Sequence, residues 1–439
     1  MTDSTVPDPS YLRQIDSETR KLLAAATAQE SPFAGAPAEL AEKVEQAVNG
    51  LTHTLNDVVH TLHAHPETAF KEYSSVKLLQ QTLIRHGIDA RTGVHGVETS
   101  VWAEVGDGSR GRTIAVLAEY DALPGIGHAC GHNVIAAAGV GAFLALAAVA
   151  DQLPGRVVFL GTPAEEGHSG KEILARNGAF DGIDAALMVH PYGYDLADQV
   201  WLGRRLLTII FTGVEAHASA QPFMGRNALD AANLAYQGIG LLRQQLPPSD
   251  RVHSNITEGG QSPNIIPGRA VMKLYARSKY PETLKDLSAR LEDVARGAAL
   301  MTGTGVELLW DEHPPSLPIR TNTALTGRWV AAQQRRGRSP LPLGVVSEAL
   351  AASTDFGNVS YRIPGIHPLI RIADPGTALH TEGFARAADT EAAENGASDG
   401  AAGLALTALD YLCDENLQHS VHEEFVAQGG AIDVPAYFN

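Results

Sequence analysis

Three short apolar runs constrain the fold of this chain more than any other feature. They are Thr113–Ala118 (TIAVLA), Arg156–Gly161 (RVVFLG) and Asp184–Val189 (DAALMV), and stretches of helical spacing separate them. Strands that are apolar on both faces and alternate with helices are the signature of a parallel sheet with crossover helices. One of the helical stretches, Val134 to Ala150, has no polar side chain. Its 17 residues fall short of the roughly 20 that a membrane span needs. Rich in Ala and Gly, it suits a helix buried on all sides. The expected fold is α/β, with a mixed, largely parallel sheet flanked by helices.

At 439 residues the chain is too long for one ordinary core. Between Arg205 and Trp310 the element order changes. Leu206–Thr212 reads as a strand, and Ala228, Ala232, Ala235, Ile239 and Leu242 step along one helix face. Val252–Ile256 and Ala270–Arg277 read as strands, Leu284, Leu287, Leu291, Val294 and Ala298 as a helix, and Val306–Trp310 as a last strand. The order βαββαβ is that of a ferredoxin-like unit, inserted into the first domain. The expected divisions are an N-terminal arm (1–37), a first part of the main domain (38–204), the insert (205–315) and a second part (316–439). The arm, weakly periodic and rich in Ala, Ser and Pro, reads as partly ordered. The main domain opens on helical spacing through Leu40, Val44 and Val48 and again through Leu51, Leu55, Val59 and Leu62. It closes on a helix from about Ala393 to Leu412.

Composition narrows the partners. Hydrophobic residues make up 44% and charged residues 19%, which suits a folded, soluble globule. The net charge of −17, with no stripe of Lys and Arg, argues against nucleic acid. The two cysteines, Cys130 and Cys413, lie far apart and fit a reducing compartment without a structural disulfide. The start MTDSTVPDPS lacks the basic and apolar regions of a secretory signal, so the cytoplasm is the expected location, with no membrane partner.

Ligand sites of open parallel sheets form beyond the carboxyl ends of the strands. After the first apolar run comes EYDALPGIGHACGHN, with Glu119, Asp121, His128, Cys130 and His132. TPAEEG follows the second, with Glu165 and Glu166, and His190-Pro191 follows the third. A single cysteine is more commonly a small buried hydrophobe, a single histidine a satisfied hydrogen-bonder, and a Glu pair a solvated loop. Together at adjacent strand ends they form a ligand set for zinc or a related first-row metal. One glutamate can bind metal while the other takes a proton from bound water.

At these residues the sequence resembles metallopeptidase family twenty, the aminoacylase and carboxypeptidase G family. The resemblance rests on LHAHPETAFKE (Leu62–Glu72), AEYDALPGIGHACGHN (Ala118–Asn133), TPAEEG (Thr162–Gly167), MVHP (Met188–Pro191), VEAHAS (Val214–Ser219), PNIIPGRA (Pro263–Ala270) and STDFGNVS (Ser353–Ser360). HACGH is similar to the auxin-conjugate amidohydrolase branch, in which a cysteine replaces the usual bridging carboxylate. EYDALPGIGHACGHN and STDFGNVS are closer to the peptidase twenty domain-containing protein two-like subgroup. That subgroup is associated with dipeptides bearing basic C-terminal residues, including β-alanyl-lysine. Two residues depart from the common pattern: Asn133 stands in place of the branch's usual Asp, and Glu119 in place of a metal-binding His of many relatives.

The resemblance implies a zinc-exopeptidase-like catalytic domain whose inserted unit is a lid and a homodimer surface. It implies Cys130, His132, Glu166, His190 and His380 as metal ligands, Glu165 as general base and acid, and Asp121 as the residue that orients a ligand. It also implies His217 as the oxyanion donor inserted into a neighbouring subunit's site, and Asn264 with Arg277 as the holders of a substrate carboxylate. The ordinary reading of Arg277 is a solvated strand arginine. Over the Cys130 thiolate, the Glu166 carboxylate and a hydroxide, two divalent ions (Zn, Mn or Co) leave a net positive centre, a single ion a negative one. Two ions are therefore expected.

The expected activity is hydrolysis of the amide bond of a dipeptide or N-acyl amino acid by metal-activated water. An aryl amide or aryl amine substrate, such as p-aminobenzoyl-glutamate, would leave the same motifs untouched. Two other readings compete. One is a cysteine hydrolase using Cys130 with His128 or His132, which needs an orienting third group. The other is a non-catalytic metal-binding homologue, whose mark would be a lost base or lost ligands. Phe223, Met224 and Phe356 are the loop residues expected to shape the substrate pocket.

Overall fold

The structure, a computed structural model, describes residues 7–438. Its compact units are two. Among the described residues, the first comprises 7–200, Arg320–Ala351 and Val359–Asp433, and the second Trp201–Ile319, Ala352–Asn358 and 434–438.

In the first unit a six-stranded sheet runs in the order 90–92, 101–106, 156–161, 113–118, 185–187, 365–366. The three apolar runs are its neighbours in the middle, and their pairings are parallel, as is that of 185–187 with 365–366. The first two strands pair antiparallel and form one edge. Sequence patterning missed them, because Ala90–Thr92 is only three residues long and Val101–Gly106 is half solvated. All six residues of Thr113–Ala118 are buried, as parallel strands covered on both faces must be.

The helix His132–Ala147 is buried on every side through Leu146. Small residues allow this: a Cβ on Gly139 would stand 2.9 Å from the Cβ of Ala118. It packs against Glu391–Cys413 and Thr52–Ala64. A further helix, Glu415–Ala427, follows the one expected to close the chain. The arm holds a helix, Ser10–Ala25, that buries only Ile15 and Thr19; residues 1–6 of that arm lie outside the described residues. Among the described residues, no helix is long and apolar enough to cross a membrane.

The second unit is a four-stranded antiparallel sheet in the order 305–310, 203–212, 269–278, 251–258. With helices Ala228–Leu242 and Pro281–Thr302 it has the βαββαβ order of a ferredoxin-like unit. Leu207, Ile209, Phe211, Met272, Leu274 and Ala276 point into the core beneath those helices. The intervening Lys273, Tyr275 and Arg277 line the other face, half-buried, as period-two alternation requires.

Candidate metal centre

Three strand ends build the centre. Thr113–Ala118 runs directly into Glu119, Tyr120 and Asp121, and Thr162 N–H donates to Ala118 O at 2.7 Å, tying the second strand end to the first. Between Cys130 and His132 the chain turns through Gly131, whose φ is +78°. A Cβ there would come within 2.4 Å of Pro191, so only glycine lets this turn close on the third strand end. Cys130 and His132 consequently face His190.

Side chains converge in three overlapping groups whose ligand atoms lie within 4.8 Å of one another. These are Cys130, His132 and His190; Cys130, Glu166 and His380; and His132, Glu165 and Glu166. Cys130 Sγ is 3.5 Å from His190 Nε2. His190 Nδ1 donates to its neighbour Pro191 O at 2.8 Å, which leaves Nε2 as the acceptor nitrogen turned to the thiol. His380 Nε2 lies 3.2 Å from Glu166 Oε1. The His380 backbone takes a left-handed φ of +60°, and its N–H donates to Ala129 O at 2.9 Å. That tie brings a residue 250 positions from Cys130 to the same centre.

Asp121 is wholly buried and holds two members of the centre. One oxygen is 3.1 Å from His132 Nδ1, and the other accepts Glu166 N–H at 2.9 Å. Burial works against its charge, but His132 and the hydrogen bonds keep its carboxyl below the usual range. Burial likewise opposes charge on His132, yet the carboxylates of Glu119 and Asp121 and the sulfur of Cys130 lift its pKa well above that of a free imidazole. Burial holds His190 neutral, with a pKa of about 3.

The donor set fits divalent metal. His132 Nε2 and Glu166 Oε1 are buried and make no hydrogen bond of ordinary geometry, having only Glu119 at 3.4 Å and His380 at 3.2 Å as ion-pair neighbours, and such atoms are rare unless something binds them. Thiolate, imidazole and carboxylate donors suit zinc, manganese or cobalt. The cysteine-hydrolase reading fits poorly, because burial and the Glu166 charge push the Cys130 thiol up, opposite to an activated nucleophile. His128, one of its expected bases, is instead buried beside His63, with ring centroids 6.5 Å apart.

Sequence reasoning missed Lys171, His367 and Glu72. The Lys171 ammonium, fully buried, is paired with Glu119 Oε1, and the other oxygen of Glu119 lies 3.4 Å from His132 Nε2. His367 stacks edge-on to His190 at 5.6 Å. Nothing in SGKEIL or GIHPLI distinguishes these charges from ordinary solvated ones.

His217, Asn264 and Arg277 belong to the second unit. His217 and Ile265 are partners in a two-residue ladder, and Ala218 N–H donates to Asn264 O at 3.0 Å. Nδ1 of the exposed His217 accepts the backbone N–H groups of Ser219 and Ala220 at 3.3 and 3.2 Å. Its neutral ring therefore carries the proton on Nε2. Arg277 stands directly between Arg204 and Arg251 on the neighbouring strands. Its guanidinium lies 5.5 Å over Tyr275 and donates to Ser353 Oγ at 2.7 Å. Burial and then the charge of Arg277 hold the nearby His253 below its ordinary pKa. Like charges opposed across strands are unfavourable, so this face suits an anion. Of the expected pocket residues, Phe356 is wholly buried, whereas Phe223 and Met224 are exposed.

Residues 115–429 match peptidase family M20/M25/M40. The chain is 35% identical over 397 residues to the Xaa-Arg dipeptidase of Mus musculus, covering 88% of this chain and 91% of the relative. It is 29% identical over 457 residues to one subunit of the p-aminobenzoyl-glutamate hydrolase of Escherichia coli, covering 88% and 95%. In fold it is similar to a dinuclear metal-binding M20 peptidase of Bacillus subtilis. There the TM-score is 0.63 at 24% identity, over 82% of this chain and 99% of the other. With the strand-end cluster, sheet topology and these likenesses in agreement, the chain belongs to peptidase family M20/M25/M40.

Proposed function

We propose that the protein is a metal-dependent hydrolase of amide bonds whose substrates are dipeptides or N-acyl amino acids. The observation that carries this is the convergence of Cys130, His132, Glu165, Glu166, His190 and His380 in ligand groups within 4.8 Å. Cys130, His132, Glu166, His190 and His380 would hold two divalent ions, zinc, manganese or cobalt. Cys130, His132 and Glu166 each belong to two of the groups, which joins the groups into one cluster. Bound there, the ions lower the pKa of water toward about 7 and polarise a carbonyl.

The chain's own groups do the rest. Glu165, in the same cluster, takes the proton of the attacking water on its carboxylate and returns it to the leaving amine. Asp121 fixes the ring of His132 and the backbone of Glu166. His217, a donor through Nε2, stabilises the oxyanion. Arg277 receives the substrate carboxylate, for which its planar fork is suited, and Asn264 assists. The second unit serves as lid and homodimer surface, delivering His217 to the centre of a second copy. Both cysteines are free, in keeping with a cytoplasmic enzyme.

Likeness to the mouse Xaa-Arg dipeptidase favours dipeptides with a C-terminal basic residue. The net charge of −17 favours cationic substrates by steering. A second reading, hydrolysis of an aryl amide such as p-aminobenzoyl-glutamate, is favoured by likeness to the Escherichia coli hydrolase. A mass-spectrometric screen of both substrate classes with defined metals separates them. Elemental analysis and chelation accompany it. Activity that survives complete chelation, or that iodoacetamide abolishes in the metal-loaded enzyme, refutes the metal-hydrolase reading.

A further inference from the structure

The segment LHAHPETAFKE contributes no ligand to the centre, yet it touches the centre's most strained loop. Between the helices Thr52–Ala64 and Tyr73–Arg85 it makes a tight turn, with Phe70 at a left-handed φ of +59°. Glu67 caps the second helix through the N–H groups of Ser74 and Ser75, and its carbonyl accepts Ala122 N–H at 2.7 Å. Glu72 does something else. Fully buried, it accepts Thr99 Oγ1–H at 2.8 Å on one oxygen and Ala164 N–H at 2.9 Å on the other.

Ala164 immediately precedes Glu165. Its φ is +60°, and within five residues Gly167 and Ser169 also take left-handed angles. A non-glycine residue in that region costs of order 1–3 kcal/mol and persists only where its surroundings over-determine it. Here two buried carboxylates flank the glutamate: Glu72 holds the N–H of the residue before it, and Asp121 holds the N–H of the residue after it. Phe70 adds an edge-on contact to His168 at 5.6 Å, on the far side of the same loop. The loop is thus pinned on both sides of Glu165 while the Glu165 side chain stays partly accessible.

We infer that Glu72 is a positioning residue. It fixes the backbone of Ala164 so that the Glu165 carboxylate meets the attacking water in one orientation, and it acts through its acceptor oxygen, not its charge. The inference rests on the reading of Glu165 as general base. Two substitutions separate reach from charge. Glu72→Gln keeps an oxygen at the same reach and loses the charge. Glu72→Asp keeps the charge and withdraws the oxygen by about 1.5 Å.

The metal-loaded enzyme is compared with both variants for kcat, KM, metal content and amide hydrogen exchange of a peptide spanning residues 161–169. Misplacement of a reacting group by about 1 Å costs up to about a hundredfold. Glu72→Asp is expected to lower kcat about ten- to a hundredfold, with KM within about twofold and metal content unchanged. Exchange at Ala164 rises about tenfold or more. Glu72→Gln is expected to stay within about threefold of wild type on every readout. Should the Asp variant not fold, Glu72→Met, of similar length and without an oxygen, gives the same expectation.

Unchanged kcat in the Asp variant, a Gln variant as impaired as Asp, or metal lost in proportion to kcat overturns the inference. The base assignment fails separately, if Glu165→Gln with its metals retained turns over normally. The exchange measurement is independent of that result.

Discussion

The two units carry opposite electrostatics. In the first, Asp121, Glu119 and Glu166 crowd around His132 and Cys130, nearly all out of reach of solvent. In the second, Arg204, Arg251 and Arg277 lie side by side across three strands, half-buried. A buried excess of carboxylate and thiol is tolerable only when compensated by cations. A half-solvated ridge of guanidinium groups needs only screening, and its planar forks suit a carboxylate. A dipeptide or N-acyl amino acid offers both an amide carbonyl to polarise and a carboxylate to hold. The contrast also separates expected phenotypes: changes in the first unit disturb metal or chemistry, changes in the second disturb turnover or binding with the metal in place.

The largest effect tests the chemistry. Glu165→Gln, with metals retained by elemental analysis, is expected to lower turnover by about 10²–10⁴-fold, the usual worth of a positioned acid–base group; near-normal rates would remove Glu165 from the mechanism. His217→Ala should cost about 10²–10³-fold in kcat, the scale of an oxyanion donor, with metal content unchanged. If His217 serves a second copy, mixing and re-equilibrating the two inactive variants restores about a quarter of wild-type activity, because half of the dimers then hold one intact centre. No recovery on mixing would confine His217 to its own chain or leave the protein monomeric.

A smaller effect is expected at the arginine ridge. Arg277→Met should raise KM about ten- to a hundredfold for substrates with a free carboxylate, the worth of a charged hydrogen bond. Their methyl esters should be indifferent. A drop in kcat alone, with KM unchanged, would remove Arg277 from carboxylate binding.

The smallest is a pH effect in the first unit. Burial and then the Asp121 charge raise Glu72 from 4.5 to about 7. A carboxyl raised in the folded state contributes stability that is present below pH 4.5 and is lost as pH climbs through about 7. In chelated protein, Glu72→Gln should therefore melt a few degrees above wild type at pH 8, and the gap should close toward pH 5. A gap that widens on acidification would reverse the sign and refute the shift.

Much of the centre was legible because metal chemistry uses few residue types and parallel strands deliver their ends to one rim. Cys130, His132, Glu165, Glu166 and His190 all follow an apolar run at short range, and that spacing alone put them together. His380 was reached through resemblance, since nothing local ties ALHTEGF to a strand end 250 residues away. Glu72 and Lys171 escaped because a charged residue beside a helix start reads as solvated; only burial distinguishes them.

The sequence by itself determined the periodicities, and with them the buried helix 132–147, the parallel middle of the sheet and the βαββαβ order of the second unit. These are short-range consequences of side-chain spacing. Tertiary structure alone decided which atoms face one another: the loop before Glu165 hung between two buried carboxylates, the lysine set against Glu119, the three arginines brought into register. Such contacts join residues tens to hundreds of positions apart. Their identity depends on strand register and helix rotation, which no local pattern encodes.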